Sequence, residues 1–196
     1  MRILITTVQV PFIRGGAELL TENLKKALVQ AGHETEIVTM PFMDAPLERL
    51  ESHIVASRLF ELTYGWGGRS DLCIGLKFPA YYIPHENKVL WMLHQHRAAY
   101  ELFNTEFSNL KDDEQGRHYR DIVKRADDRY LYEAKKIYTI ADNVSNRLQR
   151  FNNISAKTLY HPCPGSERFY VGEYENYVLM PSRINATKRQ KLAIEA

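Results

Sequence analysis

Three groups of residues in the sequence have types and spacings that could do chemistry. The first is Gly15-Gly16-Ala17-Glu18, which follows the opening apolar run. Two adjacent glycines before a helix let backbone amides approach an anionic ligand without a Cβ in the way. The segment has neither the dinucleotide fingerprint G-x-G-x-x-G nor the Walker pattern G-x-x-x-x-G-K-S/T, which argues against an NAD enzyme and a P-loop ATPase. A structural turn is the other interpretation of this glycine pair.

The second group is a pair of histidines, His94 and His96, at the end of the fourth predicted strand. A histidine at the carboxyl end of a strand can donate to, or accept from, a substrate hydroxyl near neutral pH. The two rings also share one strand face, where they could ligate a metal. A third interpretation is that both are polar residues that cap the strand.

The third group is Arg183 and Lys188, which lie five residues apart where a predicted strand leads into the last predicted helix. A guanidinium binds oxygens with its fork while an ammonium acts as a point charge, so the pair suits two phosphates. A solvated basic helix start is the alternative. Because cations are disfavoured at that end of the helix dipole, the placement favours an anionic ligand.

Aromatic side chains around Pro79 could also contact a sugar. They are Phe78, Tyr81 and Tyr82, whose rings could stack on it, although packing within the loop is the favoured interpretation. The charged run 111–136 adds no nucleic-acid site, because its eight Lys and Arg are mixed with seven Asp and Glu. Such a mixture is typical of a solvated helix surface.

The elements that must position these residues alternate between short apolar runs and longer helical stretches. This order predicts an α/β fold with an open parallel sheet and helices on both faces. Strands are predicted over 2–7, 34–40, 71–76, 88–93, 135–140 and 157–160. Helices are predicted over 17–31, 46–62, 96–102, 112–134 and 142–152, the last with Asp142 as its N-cap.

The pattern breaks after residue 160, where prolines, glycines and an acidic aromatic stretch indicate a crossing between domains. The prediction is an N-terminal domain over 1–168, a linker over 169–176, and a part of a second domain over 177–196. This part would contain a strand over 177–181 and a partial helix over 188–196. The second strand-helix unit cannot bury its own faces, so we expect the chain to be a fragment of a longer protein.

Composition excludes several classes of protein. The 196 residues include 26 Lys and Arg against 24 Asp and Glu, a net charge of +2 that does not argue for nucleic-acid binding. Two cysteines cannot form a disulfide framework, and no apolar run approaches the roughly 18 residues of a membrane span. The predicted compartment is the cytoplasm, and contact with the inner face of the membrane is left open for a lipid acceptor.

Taken together, these segments resemble the family 4 glycosyltransferases of the GT-B fold, and specifically the N-terminal half of such an enzyme. The resemblance is carried by Gly15-Gly16-Ala17-Glu18, by residues 76–82, 87–97 and 160–162, and by 177–183 with Lys188. It implies a Rossmann-like N-terminal domain that takes the acceptor, and a second domain that takes a nucleotide-diphosphate sugar. Members transfer the sugar with retention and generally need no metal at the reaction centre.

The resemblance also implies roles for single residues. Arg183 and Lys188 match the pair that holds the donor diphosphate, and Gly15 and Gly16 match the glycine loop on the opposite wall. His94 matches the histidine that contacts the transferred sugar. His96, Phe78 and Tyr81 are further candidates for contacts with the sugar or the acceptor. The implied donor is a nucleotide-diphosphate sugar without a separate cofactor, and the implied acceptor is a carbohydrate or a lipid-linked one.

The sequence departs from the family pattern in three places. Ser182 stands where a glycine is usual before the arginine, and Ala141 stands where a serine often starts the helix. The donor-binding half is also missing, so we expect little transferase activity from the fragment alone. Two other functions remain open, namely a metal-dependent hydrolase that uses His94 and His96, and a non-catalytic module that binds carbohydrate or a lipid surface.

Overall fold

The computed structural model describes residues 1–182 and 184–196. Its contacts divide the chain into two compact units, Met1–His161 and Pro162–Ala196. The first unit contains the sheet and most of the helices, and each unit is described by itself. In the described residues, no helix is long and apolar enough to cross a membrane.

The first unit is built on a six-stranded parallel sheet with the order β2-β1-β5-β6-β7-β8. The strands are β1 (Arg2–Gln9), β2 (Glu34–Pro41), β5 (Leu72–Lys77), β6 (Lys88–His94), β7 (Lys136–Thr139) and β8 (Lys157–Thr158). Between β2 and β5, a short antiparallel hairpin is formed by β3 (Tyr64–Gly65) and β4 (Gly68–Arg69). The predicted α/β fold with a Rossmann-like open parallel sheet is therefore confirmed.

Helices cover both faces of this sheet. They are α1 (Gly16–Gln30), α2 (Glu48–Leu59), α3 (Glu114–Tyr130) and α4 (Asp142–Asn152). Alternation along β6 shows how the two cores are divided, because successive side chains of a strand point to opposite faces. Leu90 and Met92 pack in the cluster that contains residues of α2, α3 and α4, whereas Trp91 and Leu93 pack in the cluster that α1 covers.

The strand order places a topological switch point in the middle of the sheet. The chain passes from β1 to β2 on one side and then crosses to β5 on the other side of β1. Loops after β1 and β5 therefore diverge, and in open parallel sheets ligands bind at such a crevice, outside the carboxyl ends of the strands. We call this end of the sheet the carboxyl edge.

Two local predictions are wrong. The helix predicted over 96–102 is only a 3₁₀ turn, Arg97–Ala99, because the burial of Ala98, Ala99 and Tyr100 fixes this segment against the core. Asp142 is not an N-cap, since α4 begins at Asp142 and its N-cap, Ala141, makes no side-chain cap. The Asp142 carboxylate instead accepts a hydrogen bond from the Tyr160 hydroxyl at 2.7 Å.

The second unit, Pro162–Ala196, contains 3₁₀ turns at Ser166–Arg168 and Ala186–Lys188 and a short helix α5 (Gln190–Glu195). Residues 177–181, predicted as a strand, have no strand pairing there. A strand forms only where a neighbouring strand satisfies its backbone groups. The assignment of residues 169–176 to a linker and of 177–196 to a second domain stays a prediction.

Candidate functional site

The start of α1 lies at the carboxyl edge, directly after the loop that leaves β1. Gly15 is the N-cap residue with an extended backbone, and its amide donates to Glu18 Oε2 at 2.7 Å. A Cβ placed on Gly16 would meet no heavy atom within 4 Å. Packing therefore does not require glycine at position 16. The first amides of a helix have no partner within the helix, and open space in front of them is the geometry in which a helix N-terminus receives an anion.

Lys77, the last residue of β5, connects this helix start to the histidines. Its Nζ lies 3.7 Å from Glu18 Oε1, and both side chains are largely buried. The register of the sheet pairs Lys77 with His94 after an irregularity that begins at Gly75. Lys77 was not among the predicted site residues, although a lone lysine that ends an apolar strand was a signal for it.

His94, the last residue of β6, is half-buried and has one ring nitrogen engaged. Nδ1 lies 2.6 Å from the backbone carbonyl of Gln95. A carbonyl oxygen can only accept, so Nδ1 carries the proton. Burial lowers the pKa of His94, and the charges of Lys77 and Arg97 lower it further. The ring is therefore neutral at pH 7, with Nε2 as an acceptor that has no partner in residues 1–182 and 184–196.

His96 lies beside a pocket of about 420 Å³, which we call the His96 pocket. The pocket is formed by residues after β2, residues after β6 and a loop before α3, namely Phe42, Asp44, Ala45, His94, His96, Arg97, Ala98, Leu102, Phe107 and Asn109. His96 is 8% exposed, and its Nε2 is buried without a hydrogen-bond partner in the described part of the chain. Burial lowers the pKa of His96 to about 4, so this ring is neutral as well.

A cluster of one carboxylate and two guanidinium groups follows the histidines. Glu101 Oε1 accepts from Arg97 Nε at 2.6 Å and lies 3.1 Å from Arg147 Nη1. Glu101 Oε2 is buried and has no hydrogen-bond partner among the described residues. The negative charge of Glu101 raises the pKa of His94, against the larger lowering by burial. The edge therefore carries both signs of charge around His94.

The aromatic residues around Pro79 do not form a sugar platform. Tyr81 and Tyr82 are fully buried, Phe78 is 3% exposed, and the two tyrosine hydroxyls donate to Asp127. In this structure the three rings pack within the core, as the favoured interpretation predicted. Neither Phe78 nor Tyr81 has an exposed ring face in this conformation. Contact of these two residues with a sugar or an acceptor stays a prediction. Phe78 instead stacks against His96, with ring centroids 4.8 Å apart.

The structure brings Gly15, Gly16 and His94 to one edge, but it does not test the third predicted group. Arg183 lies outside the described residues. Lys188 belongs to the second unit, where it is exposed and ends the 3₁₀ turn Ala186–Lys188. Its backbone amide donates to Asn185 Oδ1 at 3.2 Å.

A different pocket, of about 300 Å³, lies beside Arg2 at the amino ends of β1 and β2. In this pocket Arg2 Nε donates to Glu34 Oε2 at 2.8 Å, and Arg2 Nη1 donates to the Gly67 carbonyl. Ligands of open parallel sheets bind at the other end of the strands. The carboxyl edge is therefore the stronger candidate site.

Among the described residues, no group of three or more His, Cys, Asp and Glu side chains could hold a metal ion. What the edge offers is a helix start with open space, a lysine, and a neutral histidine with an acceptor nitrogen. This set can bind an anion and orient a hydroxyl in one crevice. Comparison with known proteins assigns no family, since no family model matches the chain and no curated protein matches it significantly.

Proposed function

We propose that this chain is the acceptor-binding part of a glycosyltransferase. The enzyme would transfer a sugar from a nucleotide-diphosphate sugar to an acceptor hydroxyl, with retention of configuration. One observation carries the proposal. The α1 start at Gly15 and Gly16, the lysine Lys77 and the neutral ring of His94 follow one another along the carboxyl edge, next to the switch point of the sheet. The resemblance to family 4 glycosyltransferases supplies the reaction class.

Electrostatics gives the anion-binding side of the crevice its role. Departure of a nucleoside diphosphate places negative charge on the leaving oxygens. Groups that meet this charge as it develops lower the barrier, because they bind the transition state more strongly than the substrate. The first-turn amides of α1 and the Lys77 ammonium are the described groups suited to this task. By resemblance, Arg183 and Lys188 hold the same diphosphate.

The first-turn amides and Lys77 donate hydrogen bonds, whereas the role of His94 is to accept one. Its proton is on Nδ1, so Nε2 can accept from a hydroxyl of the transferred sugar or of the acceptor. The His96 pocket, which His94 also lines together with apolar residues such as Phe42 and Phe107, has room for part of an acceptor. Front-side attack by the acceptor hydroxyl on the side of the departing diphosphate gives retention.

The proposal is tested on the protein encoded by the complete reading frame. The protein is screened for release of nucleoside diphosphate from UDP-, GDP- and ADP-sugars. We expect turnover with one nucleotide class, and a loss of about 2–4 kcal/mol of transition-state stabilisation in Arg183→Ala. An unchanged kcat/KM in that variant contradicts the assignment.

A matched control removes a charge that the proposal does not use. Arg117 lies on the surface of α3 and pairs with Asp112 at 2.9 Å, so Arg117→Ala should leave kcat/KM unchanged. A second outcome would also contradict the proposal. If the complete protein binds carbohydrate but consumes no sugar nucleotide, the chain is a binding module.

A further inference from the structure

A buried carboxylate in α3 organises the core behind the histidines. Asp127 is fully buried and accepts from Tyr81 and Tyr82 at Oδ1, at 3.0 and 2.7 Å, and from Tyr100 at Oδ2, at 2.7 Å. Burial raises the pKa of Asp127 to about 6, against the three hydroxyl hydrogen bonds, which lower it. The carboxyl group is therefore mainly ionised at neutral pH.

The charge of Asp127 sets the direction of the hydrogen bonds that lead away from it. An ionised carboxylate only accepts, so Tyr100 donates to it and offers its oxygen to another donor. Asn152 Nδ2 fills that place at 3.2 Å and also donates to Asp128 Oδ1 at 2.7 Å. The reversed amide would bring its oxygen against the Asp128 carboxylate. The orientation of the Asn152 amide is thus fixed by two carboxylates.

The amide oxygen of Asn152 contacts Gln95, the residue between His94 and His96. Asn152 Oδ1 accepts from Gln95 Nε2, and Gln95 is 1% exposed. Gln95 Oε1 is buried without a partner among the described residues, so Asn152 is the only described side chain that holds this amide. The backbone carbonyl of Gln95 accepts the Nδ1 proton of His94 at 2.6 Å.

We infer that Asp127, Tyr100 and Asn152 are positioning residues, which hold Gln95 so that its carbonyl keeps His94 in the Nδ1–H tautomer. This inference deepens the proposed function, because the acceptor role of His94 depends on an unprotonated Nε2. It gives a function to a buried polar network, at a place where protein cores usually contain apolar side chains.

The inference is tested by NMR of the imidazole nitrogens in the 196-residue chain, without substrate and at about pH 8, well above the pKa of Asp127, so that this carboxylate stays ionised in every variant. The chain has seven histidines, and His94→Gln identifies the signal of His94. We expect the Nδ1–H tautomer in the wild type. Gln95→Met keeps the backbone carbonyl and removes the side-chain anchor, so we expect the single tautomer to be replaced by a mixture.

Two tyrosine variants separate positioning from general stability. Tyr100→Phe breaks the path between Asp127 and Asn152 and should shift the tautomer ratio of His94. Tyr81→Phe is the matched control, because it removes a donor to the same carboxylate but lies off the path. It should leave His94 unchanged. If Gln95→Met does not fold, Tyr100→Phe still tests the inference.

A double variant adds a rescue experiment. Gln95→Met with Asn152→Leu removes both partners of one buried hydrogen bond, so it should recover stability relative to Asn152→Leu alone. It should not recover the tautomer of His94. An unchanged His94 in both Gln95→Met and Tyr100→Phe, or an equal shift in Tyr81→Phe, overturns the inference. Because no sugar nucleotide is used, the result is independent of transferase activity.

Discussion

Removal of one tyrosine hydroxyl from Asp127 should destabilise the protein in a pH-dependent way. Tyr82 donates to Asp127 Oδ1 at 2.7 Å, and both residues are fully buried. Tyr82→Phe keeps the ring and its packing but removes this donor. At neutral pH the acceptor is charged, and a buried hydrogen bond to a charged group contributes about 1.5–3 kcal/mol to the free energy of unfolding.

The sign of the pH dependence follows from the pKa of Asp127. Burial raises the pKa from an ordinary value of 3.8 to about 6 in the folded protein. Between these values the folded state binds more protons than the unfolded state, so the stability contributed by this group falls as pH rises through the window and levels off above it. Loss of the Tyr82 donor disfavours the charged form and raises the pKa further. The fall therefore extends to higher pH in the variant.

The assay is urea denaturation of wild type and variant at about pH 8 and about pH 4, which lie above and near the lower end of the titration window. The loss in Tyr82→Phe should be about 1.5–3 kcal/mol at the higher pH and about 1 kcal/mol at the lower, where the carboxyl is protonated. Tyr132→Phe is the control, because its hydroxyl donates to an uncharged carbonyl, that of Asn152, at 3.0 Å. Equal losses of Tyr82→Phe at both pH values would refute the reasoning.

Three glycine substitutions separate the effect of packing from the effect of ligand approach. In Gly16→Ala the added Cβ meets nothing within 4 Å, so the free energy of unfolding should not fall. By contrast, kcat/KM of the complete protein should fall at least about tenfold, because the methyl group takes up space that the ligand needs at the start of α1. Gly67→Ala, which is equally unhindered but lies in the hairpin loop, should change neither quantity, and loss of stability in Gly16→Ala would contradict the prediction. In Gly75→Ala the Cβ would lie 2.8 Å from Leu90 Cδ2. Urea denaturation should therefore show that the free energy of unfolding falls by about 1–3 kcal/mol. An unchanged midpoint would contradict this, because it would mean that the neighbouring side chains move to make room for the methyl group.

Much of the fold could be predicted from the sequence because local patterns encode it. Buried parallel strands are continuous apolar runs, and α1 shows its period in residues such as Leu20 and Leu24. The edge could be predicted in part for the same reason. Gly15 and His94 each follow an apolar strand, and the carboxyl ends of parallel strands lie together.

The rest depends on contacts between residues that are distant in the sequence. Tyr81, Tyr82 and Tyr100 are 46, 45 and 27 residues from Asp127, and no local pattern marks them as partners. The burial of Tyr81 and Tyr82 leaves neither ring an exposed face in this conformation. The turn at Arg97–Ala99 has the same origin, because tertiary packing overrides a local preference for helix. Lys77 lies near Glu18 only because the sheet order puts β5 beside β1.

We propose that the sugar nucleotide reacts at the carboxyl edge around Lys77 and His94. The most direct measurement is kcat/KM of His94→Ala and Lys77→Met in the complete protein, beside His118→Ala, which changes an exposed histidine of α3. We expect kcat/KM to fall by about 10²–10³ in the first two variants and to be unchanged in the third. Wild-type kcat/KM in both His94→Ala and Lys77→Met would contradict it.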